Sequence, residues 1–109
     1  MIDGMNYLEI VRAKLSDPEL LAQLAEEAAE LAQAALKMRR VIDGTNPTPV
    51  TFQQAHDNLL EEICDVETCV SALLYNTPTA VKVRADMRAV KLERWAGRLL
   101  GTEAKDGKL

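Results

Sequence analysis

Leu24-Ala25-Glu26-Glu27-Ala28-Ala29-Glu30-Leu31 reads as the middle of a helix, because Ala, Leu and Glu are among the better helix formers. Working outward, Ser16-Asp17-Pro18-Glu19 is a helix start: Ser16 as N-cap, Pro18 in the first turn where its missing N–H costs nothing, and Glu19 completing a capping box. On the other side Asp43-Gly44-Thr45-Asn46-Pro47-Thr48-Pro49 stops it with a left-handed Gly position and two prolines. Between these limits Leu20, Leu24, Ala28, Leu31, Ala35 and Met38 predict one buried stripe, with Ala25 and Ala32 beside it allowing close approach of a neighbour. At about 100° per residue Glu27 and Glu30 fall roughly 60° apart on the edge of that stripe, and Glu26 points away.

The segment has a counterpart, Leu59-Leu60-Glu61-Glu62-Ile63-Cys64-Asp65-Val66. Thr51 with Gln54 forms another capping box, and Phe52, Leu59, Ile63, Val66, Val70 and Leu73 predict a helical stripe running to about Leu74. Glu62 and Asp65 flank that stripe as Glu27 and Glu30 flank the first, while Glu61 sits opposite. Asn76-Thr77-Pro78 restarts the chain as a last helix that reaches Leu100 before Gly101. Its expected buried stripe is Val81, Ala85, Leu92, Ala96 and Leu99, with Trp95 beside it and Arg84, Lys91, Arg94 and Arg98 on an adjoining sector. Asn6 to Lys14 is a short first helix that needs packing to persist, so residues 1–15 are expected to act as a brace or lid. Residues 102–109 lack an apolar period and are expected to form a flexible tail.

Composition supports an all-α fold: of 109 residues, 48% are hydrophobic, 4% are aromatic, and five Gly and four Pro interrupt them. The length suits one domain, 1–109, with a core of its own. A net charge of −4 argues against coating a nucleic-acid polymer, whose phosphates demand clustered cations. Cys64 and Cys69, five apart on one helix, lack the geometry for a local bridge and are expected to be reduced core thiols. Absence of a long apolar run and of a basic leader points away from a membrane and towards the cytoplasm.

Two antiparallel helices, each with acids three apart, can supply four carboxylates to one cavity. A hard cation, Mg²⁺ or Mn²⁺, relieves their repulsion, and Mg²⁺ commonly completes its shell with water and substrate phosphate. A di-iron centre would need Glu-x-x-His, and His56, the single histidine, is not in that spacing. Zinc is disfavoured because the two cysteines lack a matching ligand pattern. His56 reads as a surface or capping residue.

Glu27-x-x-Glu30, a loop, Glu62-x-x-Asp65 and then Lys91-x-x-Arg94 together resemble the MazG-like branch of the all-α nucleoside triphosphate pyrophosphohydrolases, over roughly Leu20 to Leu99. The resemblance implies a four-helix-bundle-like fold with a short N-terminal helix, completed by association into a homodimer or homotetramer. It further implies Mg²⁺-dependent hydrolysis of a nucleoside triphosphate between the α and β phosphates. Glu27, Glu30, Glu62 and Asp65 would be the catalytic and metal-binding positions, and Lys91 and Arg94 would hold phosphate. Glu26 and Lys37 are accessory candidates. Two departures stand out: the stretch between Glu30 and Glu62 is longer than in compact members, and Ala89 replaces an Asn often found two positions before the family's Lys. Competing readings are a non-catalytic module that binds a nucleotide or a partner helix, and a purely structural bundle in which the acids are solvated surface.

Overall fold

The computed structural model describes residues 6–47 and 49–101. Among them are four helices and no strand: α1 (Tyr7–Lys14), α2 (Asp17–Asp43), α3 (Phe52–Leu74) and α4 (Pro78–Leu100). The described chain is therefore all-α. The expected tail, 102–109, lies outside the described residues, as do residues 1–5 of the expected brace. No described helix is long and apolar enough to cross a membrane.

Each boundary has a local cause. At the start of α2 the Ser16 hydroxyl accepts the Glu19 N–H at 3.3 Å while Glu19 accepts the Ser16 N–H at 3.1 Å. Thr51 and Gln54 repeat this exchange at 3.1 and 3.0 Å for α3. These pairs satisfy N–H groups that the first helical turn leaves without partners. Gly44 closes α2 at φ 77°, where a side chain would be strained, and donates its N–H to the Arg40 carbonyl. Thr77 caps α4, accepting the Ala80 N–H at 3.1 Å, with Pro78 directly after it.

The chain divides into two compact units, one ending at Tyr75 and the other starting at Asn76. In the first, α2 packs along α3 and α1 packs on α3; the short connection 44–51 makes α2 and α3 antiparallel neighbours. Arg12 of α1 donates through Nη1 to the Ala72 carbonyl, and its guanidinium lies 3.2 Å from the centroid of the Tyr75 ring. This contact joins α1 to the C-terminal end of α3, where Tyr75 takes a positive φ of 54°. The described part of the N-terminal segment thus packs on α3.

The buried stripe differs from the sequence expectation. On α2 Leu20, Ala34 and Met38 are buried and Leu24, Glu27 and Leu31 are half-buried, whereas Ala28 and Ala35 are exposed. The seam is thus 20, 24, 27, 31, 34, 38, alternating steps of four and three as in coiled-coil packing. On α3 it runs through Ala55, Leu59, Glu62, Val66, Cys69 and Leu73, with Ala72 also buried and Phe52 and Ile63 exposed. Alanine at 28 and 35 looked more core-like than glutamate at 27, but continuous burial against one neighbour selects the 3–4 alternation, and that places an acid in the seam of each helix. Cys69 is buried and Cys64 exposed, so only one of the two thiols is in the core.

In the second unit α4 buries only Gly97. Val81, Leu92 and Leu99 of the expected buried stripe are exposed in the single chain, as is Trp95.

Candidate metal centre

α2 and α3 run antiparallel, so the third seam position of each lies one step from the other's across the pair, close enough for the Glu27 and Glu62 side chains to come together. Glu30, one turn beyond Glu27, joins them. One carboxylate oxygen from each of the three can be chosen so that all lie within 4.8 Å of one another. Glu27 and Glu62 are half-buried and Glu30 is exposed, so the cluster opens to solvent on the Glu30 side.

Gln23, one turn before Glu27 on the same face of α2, donates from Nε2 to Glu27 Oε1 at 2.8 Å. Oε2 of Glu27 and Oε2 of Glu62 are sealed from solvent and have no hydrogen-bond partner. Loss of hydration pushes the Glu27 carboxyl above the ordinary range against the opposing Gln23 bond, and the charges of Glu30 and Asp65 push it further. The Glu62 carboxyl is raised by the same loss of hydration and then by Glu30, Asp65 and Glu27. Buried acceptors without donors are costly, and three acids at this spacing repel. Both costs are removed by one hard cation, for which an all-oxygen donor set is suited. The residues present could therefore hold a hard cation.

Asp65 is half-buried beside this cluster. Its charge acts on Glu27, Glu62 and the Cys69 thiol, but it is not one of the three residues whose oxygens converge. Glu26 and Glu61 are exposed and stand outside the cluster. His56 is exposed, stacks on Phe52 with ring centroids 6.1 Å apart, and has Nδ1 3.7 Å from Asp57. Lys91 and Arg94 are exposed on α4, where they border a shallow hollow with Met87 and Val90. Tyr7 and Trp95 are both exposed.

Family models, curated proteins and solved structures were all compared with the chain, and none matches it.

A cleft of about 600 Å³ borders the cluster, with Glu30 and Glu62 at one end and Lys37 and Arg40 further along α2; Gln33, Ala34, Leu36 and Asn58 complete its lining. The sequence marks Lys37 as an accessory candidate. It does not mark Gln23, Arg40 or Asn58, although Gln23 stands four residues before Glu27 and Arg40 three residues after Lys37.

Proposed function

We propose that this chain is a MazG-like, Mg²⁺-dependent pyrophosphohydrolase that converts a nucleoside triphosphate to the monophosphate and pyrophosphate. The observation that carries the reading is the convergence of Glu27, Glu30 and Glu62, two of them with a buried oxygen lacking any donor. A structural bundle gains nothing from that arrangement, since apolar residues at the two seam positions would pack without repulsion.

In this reading Glu27, Glu30 and Glu62 hold the ion, and Gln23 fixes the orientation of the Glu27 carboxylate. When bound, Mg²⁺ supplies charge neutralisation of the phosphates and polarisation of the attacked centre. The resemblance places Asp65 among the metal ligands. Its position beside the converging oxygens also suits it to take a proton from the attacking water, and we assign it that role. The water oxygen bonds to phosphorus and the α–β bridging P–O bond breaks. The electron pair leaves on the bridging oxygen of pyrophosphate, and the water proton passes to Asp65. The resemblance gives Lys91 and Arg94, on α4 of the second unit, the part of holding phosphate.

Assembly belongs to the same proposal. Leu21, Leu36, Leu60 and Ile63 on the first unit, and Leu92, Trp95 and Leu99 on α4, are exposed apolar side chains. A homodimer or homotetramer would cover them.

The deciding experiment is release of pyrophosphate from ordinary, deoxy and modified nucleoside triphosphates with Mg²⁺ or Mn²⁺, beside Glu62→Gln. The expected result is metal-dependent monophosphate plus pyrophosphate from one or a few substrates, abolished in the variant. Stepwise orthophosphate, or no turnover from any substrate, would overturn the reading; tight nucleotide binding without turnover would identify a binding module instead.

A further inference from the structure

The cleft beside the carboxylates carries a gradient of charge along a single helix face. Glu30, Ala34, Lys37 and Arg40 follow one another at helical spacing on α2 and all line it. At 1.5 Å rise per residue, Lys37 and Arg40 lie about 10 and 15 Å beyond Glu30 along the axis. Ala34, 3% exposed, offers only a methyl group between the acidic and basic ends, so the floor of the cleft is left open. Across it, Asn58 lies one turn before Glu62 on α3 and adds an amide to the lining.

The two cations are not engaged elsewhere as ion-pair partners. Among the described residues the ion pairs are His56–Asp57 and Lys82–Asp86. Lys37 has no acid three or four residues away on either side. Arg40 lies three residues before Asp43 and its charge helps lower that carboxyl, but the two form no direct ion pair, and Asp43 Oδ1 accepts the Thr45 N–H at 3.1 Å. The helix dipole favours a cation in the last turn of α2. It does not account for Lys37, half-buried a turn earlier and lining the cleft.

A ligand matched to this wall has a divalent cation at one end and negative charge within reach of two long cationic side chains rooted about two and three helical turns from Glu30. Resting on the pyrophosphohydrolase reading, we infer that the cleft is the leaving-group subsite: Lys37 and Arg40 hold the β and γ phosphates. The nucleoside then lies on the opposite side of the carboxylates, towards the Gln23 end of α2. Pyrophosphate is left in the cleft after cleavage and acts as a product inhibitor, and a monophosphate, which lacks the anionic extension, gains nothing from either cation.

The test is calorimetric titration of inorganic pyrophosphate with Mg²⁺ into the full chain, with Mn²⁺ binding in the absence of pyrophosphate followed separately by electron paramagnetic resonance. Lys37→Ala and Arg40→Ala should each weaken pyrophosphate about tenfold, the scale of one charge-assisted phosphate contact, and Lys37→Arg should largely restore it. Mn²⁺ binding should be unchanged in all three. Wild-type affinity in both alanine variants, no pyrophosphate binding by the wild type, or a loss confined to Lys91→Ala would each overturn the subsite. If the wild type holds pyrophosphate through Lys37 and Arg40 yet turns over no nucleotide, the subsite stands and the hydrolase reading falls.

Discussion

Gln23 Nε2 donates to Glu27 Oε1 at 2.8 Å, so one oxygen of the seam carboxylate is already fixed while the other, Oε2, is buried without a donor. Glu27 therefore approaches the geometry of a ligand before any ion arrives, and Gln23 acts as a positioning residue. Outer partners of this kind typically contribute ten- to a hundredfold to metal affinity. Gln23→Ala should weaken Mn²⁺ by about tenfold, at the low end of that range because Gln23 is exposed. Gln23→Leu should weaken it no less, since it removes the same donor without adding charge. Mn²⁺ titration by electron paramagnetic resonance checks both, and unaltered affinity in Gln23→Ala would remove the positioning role.

The carboxyls of Glu27 and Glu62 lie above their ordinary range, from lost hydration first and neighbouring acids second. A raised carboxyl means that the folded chain holds its proton to higher pH than the unfolded chain does. Stability from these groups is complete below the unfolded value, about 4.3 for glutamate, and is lost as pH rises through the raised folded value. Metal-free Glu62→Gln should accordingly melt higher than the wild type at pH 7, with the gap closing as pH falls towards 4. Glu19 and Asp43, lowered by their hydrogen bonds to Ser16 and Thr45, act in the opposite direction in both proteins and cancel from the comparison. Added Mg²⁺ should raise the wild-type melting temperature and leave the variant unmoved. Thermal melts with chelator or with Mg²⁺ across this pH range test the sign, and a variant that melts lower at pH 7 would contradict it.

Helix limits were legible because their causes are local. Ser16 with Glu19, Thr51 with Gln54, Gly44, and Thr77 with Pro78 each act within a few residues, so the boundaries could be read without knowing any neighbour. The pairing of acids three apart was equally visible. Register was not, since Ala28 against Glu27, or Ala35 against Ala34, is decided by what faces the helix. Hydrophobicity favoured the alanine at 28, whereas the structure places the glutamate in the seam. The cleft was hidden for a related reason: Lys37 and Arg40 are ordinary surface cations until Asn58 and Glu62 of α3 are brought opposite them.

The register itself is open to a direct comparison of adjacent alanines. Ala34 is 3% exposed in the α2–α3 seam, and Ala35 is exposed. Leucine at a packed alanine must displace its neighbours, so Ala34→Leu should destabilise the chain by about 1–3 kcal/mol, while Ala35→Leu, facing outward, should stay within about 0.5 kcal/mol of wild type. If the stripe instead followed Ala28 and Ala35, the order of the two variants would reverse. Urea unfolding with an unchanged slope, so that the midpoint reports stability alone, distinguishes the cases. A reversed order would also move Glu27 from the seam back to its edge, and with it the shielding that leaves its Oε2 without a partner.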